Sequence, residues 1–270
     1  MSSTPLAAAT TATTAASEAV GPRALLLDLW DRGLAGLVLG FALALVITAP
    51  VWTSGEELML AHQNLDVWAH AWGMHWVVDS LVHLRIPWEI TGASFPERRV
   101  LWYIDPLGAL LMAPVTLLAG SRVAWNTEIF LQIVASGFCG WGMGKACGGR
   151  GWLAGTALAT MPLIQTEIWN GVIEAAWVAP IAGALWAAAR RSRLTGVLLG
   201  MAGLATPYHG IGAALLVAAV VVLGGTQEGR AQAGVAMPSW RERGVDLAWV
   251  VGLAVVVALP HFALIRAGFE

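Results

Sequence analysis

Long apolar runs, separated by short polar or glycine-rich breaks, dominate the chain. The first runs from Gly33 to Trp52, twenty residues with no ionisable group. At 1.5 Å per residue that length matches a ~30 Å hydrocarbon core, so the pattern predicts a membrane-crossing helix. Later runs predict helices over 124–144, 152–166, 171–189, 194–206, 210–224 and 245–265. Residues 106–120 are apolar but short and contain Pro106 and Pro114, which suits a re-entrant or shallow helix. The fold class expected is all-α: a polytopic bundle of about 7–8 membrane helices, with a long external first loop carrying interfacial helices.

Two stretches depart from the apolar pattern. Residues 1–22 are rich in Ala, Thr and Ser and carry one charge, Glu18, so a disordered cytoplasmic tail is expected there. They lack the basic start of a secretory signal and are expected to stay in the mature protein. Residues 53–105 hold four of the six His together with several acids and Trp, a mixture that suits an external loop at the headgroup level. Within that loop, 62–85 reads as an interfacial helix, and Pro87, Gly92 and Pro96 break the next stretch into loop. The remainder, 23–270, reads as one transmembrane domain.

Composition narrows the function classes. Hydrophobic residues make up 57% and charged residues only 12%, against about 25% charged in soluble domains. A water-exposed surface cannot be built from so few charges. The net charge of −2 offers no basic face, so nucleic acid is not an expected partner. Cys139 and Cys147 lie in or beside an apolar run and read as membrane-buried thiols, not a disulfide framework or a CxxC metal knuckle. With the N-terminus inside and 106–120 not crossing, Lys145, Arg150, Arg190, Arg191, Arg193, Arg230, Arg241 and Arg243 all face the cytoplasm. Most acids then gather on the external side, as the positive-inside rule favours. A multi-pass protein of a bacterial inner membrane is the localisation expected.

Ionisable residues that interrupt apolar sequence are functional candidates, because a membrane makes them expensive. Asp66 and His70 stand four apart, so a helix puts them on one face, where a carboxylate and an imidazole can work as acid and base. The same pattern also fits a solvated helix face. His75, Asp79 and His83 form a second set on another face beside Trp68, Trp72 and Trp76, a pattern common in interfacial anchors. Asp105 directly before Pro106 fits a helix N-cap as well as a surface acid. Glu167, Asn170 and Glu174 recur at helical spacing at an external helix mouth, where they can read sugar hydroxyls or form a plain turn. Tyr208 and His209, in Thr-Pro-Tyr-His-Gly, can contact a lipid phosphate or simply make a turn.

Asp66, His70 and His83 give a D-x3-H-x12-H spacing that resembles a metal site in one subunit of the copper membrane monooxygenases. On a straight helix His83 does not share the face of the other two, and the intervening residues differ from that subunit. This leaves a His/Asp metal-binding oxidase subunit as a minor reading.

A second likeness covers more of the chain. Asp66-x-Trp68-x-His70-x-Trp72 opens the external loop, which continues through Leu84-Arg85-Ile86-Pro87-Trp88 and Phe95-Pro96 to Asp105-Pro106-Leu107. Leu117-Leu118-Ala119-Gly120, Ala124-Trp125-Asn126, a glycine-rich turn with Lys145 and Arg150, and Thr160-Met161-Pro162 come next, then Asn170-Gly171, Glu174 and Pro180. In this order and spacing, over about 34–225, the chain resembles the N-terminal half of a GT-C superfamily membrane glycosyltransferase of the bacterial branch.

The resemblance implies transfer of a sugar from a polyprenyl-phosphate donor to an external acceptor. Asp66 takes the position of the catalytic base, with His70 orienting it. It assigns Asp105, Glu167, Asn170 and Glu174 to the acceptor site, or to a divalent metal held by Asp105 and Glu167. Tyr208 and His209 then flank the donor phosphate. Membrane lipid and lipid-linked sugar are the implied partners, with a second chain completing the fold, because relatives run longer. A non-catalytic scaffold or lipid-binding subunit with the same fold is the alternative.

Overall fold

The computed structural model describes residues 33–54, 58–61, 66–85, 87, 89–91, 99–101, 105–234 and 236–267. The expected tail at 1–22 lies outside them. Nearly every described element is a helix. They are α1 (Ala35–Ile47), α2 (Ala49–Thr53), α3 (Val67–Val82), α4 (Pro106–Ala146), α5 (Gly151–Ala159) and α6 (Pro162–Asn170), then α7 (Ala179–Ala189), α8 (Leu194–Ala205), α9 (Pro207–Val222), α10 (Gln227–Ala233) and α11 (Trp240–Ala267). A single 3-10 turn, Ile173–Ala176, joins α6 to α7. Between α3 and α4, where the sequence reads as loop, β1 (Glu89–Thr91) and β2 (Arg99–Leu101) form a small antiparallel hairpin with Ile90 opposite Val100.

The first apolar run bends. Thr48 donates its hydroxyl to the Ala44 carbonyl at 2.7 Å, and Pro50 follows at the start of α2. Back-bonding by Thr and the missing Pro N–H both loosen a helix here. Trp52 Nε1 then donates to the Thr48 hydroxyl at 2.7 Å and fixes the bend.

The break that organises the molecule is Gly120. It stands at φ 83, ψ 164 inside α4, a conformation that favours glycine. On a straight helix Gly108 and Glu128 would lie about 30 Å apart at 1.5 Å per residue. In the fold they touch: a Cβ at Gly108 would overlap both Asp105 Oδ2 and Glu128 Oε1. The chain therefore reverses at Gly120, and 106–119 folds back on 121–146. Glu128 lies 18 residues before Ala146, about 27 Å along the helix.

Helices approach one another through glycines. Gly36 and Gly40 of α1 meet α4 at Trp141 and Val134, and a Cβ at Gly137 would sit 2.5 Å from Gly40 Cα. Gly151 and Gly155 of α5 meet α4, with a Cβ at Gly155 only 2.7 Å from the Gly137 carbonyl oxygen. Gly196 and Gly200 of α8 do the same against Val250 and Val257 of α11. Each pair is a G-x-x-x-G spacing, the device by which membrane helices bring backbones close. Large apolar side chains lie on the outside instead: Phe41, Leu117, Leu118, Ile211, Leu215 and Val256 are all exposed. Glycines thus line several helix contacts, while Trp125, Met74, Ile129 and Ile133 fill the core between them.

The chain is thus all-α as expected. Among the described residues the one stretch long and apolar enough to cross a membrane is Pro106–Ala146, whose arm beyond the Gly120 reversal, 121–146, is itself of spanning length. Ala35–Ile47, Ile173–Ala189, Leu194–Ala205 and Pro207–Val222 are apolar but shorter.

The basic turns gather at one end. Thr226 donates its hydroxyl to the Ala146 carbonyl and so ties α10 to the end of α4. Arg230 donates to the Gly224 and Gly225 carbonyls at 2.8 and 2.9 Å. Arg243 donates to the Val222 carbonyl at 2.7 Å. Arg191 pairs with Asp246 at 2.8 Å.

Candidate functional site

Helix α3 begins where α6 ends. Gly171, at φ 79, caps α6, and a Cβ there would lie 2.7 Å from the Val67 amide nitrogen. Both the left-handed backbone and this close approach require glycine. The stop separates Glu174 from Glu167 and Asn170: it leaves α6 and joins the 3-10 turn. The expected three-residue helical face is therefore divided.

That division delivers Glu174 to His70. His70 is 3% exposed, and its Nε2 lies 3.1 Å from Glu174 Oε2. The imidazole also packs against the Trp125 ring, centroids 5.6 Å apart. Trp125 and Asn126 hold the 58–61 segment over this region. Trp125 Nε1 donates to the Leu60 carbonyl at 2.9 Å. Asn126 accepts from the Leu60 amide at 3.0 Å and donates to the Leu58 carbonyl at 2.8 Å.

Asp105 stands at φ 45 and caps α4, accepting from the Gly108 amide at 2.9 Å, with Pro106 at the first helical position. Its other oxygen turns to Glu128, which is fully buried, and the two carboxyls face each other over Gly108. Two carboxyls in contact hold one proton between them, since both cannot be ionised at that distance. Burial pushes the Asp105 carboxyl above its usual range; Glu128 and the Gly108 amide pull the other way without reversing it. Glu128 Oε1 also accepts from Gln132 Nε2 at 3.0 Å and Trp177 Nε1 at 2.9 Å. Gln132 donates onward to the Ile173 carbonyl at 3.2 Å, which anchors the 3-10 turn carrying Glu174.

The charges of His70 and Glu174 both act on Asp105, and that of Glu174 acts on His209. His209 Nδ1 is buried without a hydrogen-bond partner among the described residues. Of the eight residues singled out in sequence, the fold gathers His70, Asp105, Glu174 and His209 into one region. It does not bring Asp66, Glu167, Asn170 or Tyr208 into that cluster. Tyr208 is 84% exposed, and Glu167 and Asn170 are half-buried on α6. Asp66 is exposed at the start of α3, and no described residue hydrogen-bonds its carboxylate. The expected pairing of His70 with Asp66 is replaced by His70 with Glu174, because Asp66 sits before the helix and His70 points into the bundle.

The other face of α3 lines an open cleft of about 610 Å³. Trp68, Trp72 and His75 form one wall, and Ser121 and Arg122, just past the Gly120 reversal, form another. Trp72 stacks on Trp76 at 5.7 Å and 13°. Asp66 stands next to Val67 and Trp68 of the cleft wall. Farther along α3, Asp79 is spent on His83 at 3.2 Å and Arg85 at 3.0 Å, so that set divides between the cleft and a surface ion pair.

The metal readings do not fit. Asp66 precedes α3 and His83 caps its end, about 25 Å away at 1.5 Å per residue, so one ion cannot join them. Asp105 is buried against Glu128, and among the described residues no three of His, Cys, Asp and Glu are placed to share a metal ion.

Sequence reasoning missed Glu128 and Gln132 as site residues. The signal was present: Asn126, Glu128 and Gln132 are polar residues in an otherwise apolar helix, each of which needs a partner inside the bundle. Searches against protein families, curated proteins and solved structures return no match.

Proposed function

We propose that the chain is a multi-pass inner-membrane glycosyltransferase of GT-C type, using a polyprenyl-phosphate sugar and acting on the face opposite the arginine-rich end. The observation that carries this reading is the cleft beside Asp66, walled by Trp68, Trp72, His75 and Arg122. Tryptophan faces suit the apolar faces of a sugar ring, and a guanidinium suits a phosphate. The charge layout supports the membrane setting: basic turns at one end, acids and imidazoles about 27 Å away along α4.

In this reading Asp66 takes a proton from the acceptor hydroxyl. The acceptor oxygen bonds to the anomeric carbon as the bond from that carbon to the phosphate oxygen breaks, with inversion. Polyprenyl phosphate leaves carrying the electron pair, and Arg122 receives its charge. An exposed carboxylate with no partner among the described residues can act on an incoming hydroxyl. His70, Glu174, Asp105 and Glu128 act behind it as the rigid support that fixes the start of α3 against Gly171.

A panel of polyprenyl-phosphate hexoses, assayed for release of polyprenyl phosphate in membranes, tests the reading. Asp66→Asn should abolish release, by about 100-fold or more for a general base, while folding normally. Release unchanged in Asp66→Asn contradicts it. A second reading, a lipid-binding scaffold with this fold, draws on the buried cluster: Asp105 and Glu128 are buried against each other rather than open to a substrate. It predicts no release from any donor and a stable second chain.

A further inference from the structure

At the end of the bundle away from His70 and Glu174, two elements bring five arginines together. The α7–α8 turn supplies Arg190, Arg191 and Arg193, and the first turn of α11 supplies Arg241 and Arg243. Three guanidiniums lie over tryptophan rings: Arg190 over Trp186 at 5.7 Å, Arg193 over Trp249 at 4.9 Å and Arg243 over Trp240 at 4.3 Å. Rings at that distance hold a cation in place without neutralising it.

The acids of this end are already engaged. Asp246 accepts from Arg191 Nε and Nη2 at 2.9 and 2.8 Å, and Arg191 adopts φ 56 to make that fork. Glu242 accepts from the Ser239 amide and hydroxyl at 2.7 and 2.8 Å, a cap at the start of α11. No described carboxylate pairs with Arg193 or Arg241. These two elements carry five arginines and two carboxylates, a net charge of +3.

Two of these arginines and both carboxylates line a cavity of about 360 Å³, made by Arg191, Arg241, Glu242, Val245 and Asp246. It adjoins a smaller one of about 20 Å³ lined by Arg193, Trp249, Val250 and Val221 among others, and the two share Arg191 and Asp246. The joined rim carries Arg191, Arg193 and Arg241 against Glu242 and Asp246, a net charge of +1, and the wall beneath is valine and tryptophan. Such a surface complements an amphiphile with an anionic head and apolar chains.

We propose that this arginine–tryptophan cleft binds the phosphate head of an anionic membrane phospholipid, whose chains lie along Val245 and Trp249. Charge complementarity selects the occupant, since a zwitterionic head gains little from a net cationic rim. The site is independent of the cleft beside Asp66 and stands whether or not the chain transfers sugar.

The test reconstitutes the full chain in phosphatidylcholine vesicles with and without 30% phosphatidylglycerol and reads retained lipid by native mass spectrometry. Wild type should retain phosphatidylglycerol in preference to phosphatidylcholine, and 0.5 M NaCl should weaken that preference. At about fivefold per arginine near a membrane surface, Arg193→Ala with Arg241→Ala should lower retention by about 25-fold. Arg193→Lys, which keeps the charge and loses the planar stack, should keep most of it. Should the double variant fail to fold, the salt dependence in wild type decides. Equal retention of the two lipids by wild type, salt-independent retention, or unchanged retention in a folded double variant overturns the proposal.

Discussion

Replacing Glu128 tests the buried network and separates two reasons a carboxyl can be there. Glu128→Ala removes the acceptor of Trp177 Nε1 outright and takes one of two acceptors from Gln132 Nε2. A buried donor left unpaired costs about 1–3 kcal/mol, so this loss and the residual cavity cost about 2–5 kcal/mol. At about 2–4 °C per kcal/mol the apparent Tm should fall by roughly 4–20 °C. Glu128→Gln keeps the carbonyl oxygen for Trp177 and Gln132 and turns an amide N–H toward Asp105. It should cost about 1 kcal/mol or less. Intrinsic tryptophan fluorescence during heating in detergent reads both. A Glu128→Gln variant as unstable as Glu128→Ala would refute the shared proton, because it would show that the site needs an ionised carboxylate.

Four further outcomes follow from the same structure. Burial raises the Asp105 pKa, so its neutral form is the folded form. That contribution is complete below the usual carboxylate range and lost as pH rises through the raised value; apparent Tm should decline as pH rises above the usual carboxylate range, and Asp105→Asn should flatten the decline. Gly137→Leu forces a side chain onto Gly40, where even a Cβ comes within 2.5 Å, and should cost about 1–3 kcal/mol; Gly212→Leu, with open space around it, should change Tm by about 1 °C or less. Asn126→Ala removes both side-chain bonds to the 58–61 segment and should lower stability by about 1–3 kcal/mol while speeding amide exchange at Leu60. With Cys139 and Cys147 replaced, a cysteine at Ser121 should react with an impermeant thiol reagent from outside the cell and one at Arg193 only after the membrane is opened; Ser121 labelled solely from the cytoplasm would reverse the topology.

How far the fold is legible in the sequence depends on range along the chain. Most helices match the apolar runs to within a few residues, since both are set by local sequence. The bend at Thr48 and the break at Thr160–Pro162 come from a few residues inside runs that look continuous, so the runs at Gly33–Trp52 and 152–166 each split in two. The contact of Asp105 with Glu128 depends on the reversal at Gly120, and no spacing rule reaches across it. His70 with Asp66 is the natural pair on a helical wheel, yet Glu174, more than a hundred residues away, holds the imidazole. The G-x-x-x-G pairs are present in sequence as glycine content, but which helices they join is a tertiary fact. The cleft is hidden for the same reason: Arg122 meets Trp68 and Trp72 only because α4 folds back.

The central claim is that the cleft beside Asp66 takes a polyprenyl-phosphate donor, and native mass spectrometry of protein loaded with polyprenyl phosphate in mild detergent tests it most directly. The account predicts that wild type retains the lipid and that Asp66→Asn retains it as well, because the base does not hold the phosphate. Arg122→Ala should lose it by about 10-fold or more, the value of one bond to a charged group. Wild type that retains no polyprenyl phosphate, or Arg122→Ala that retains it undiminished, would contradict the assignment of this cleft.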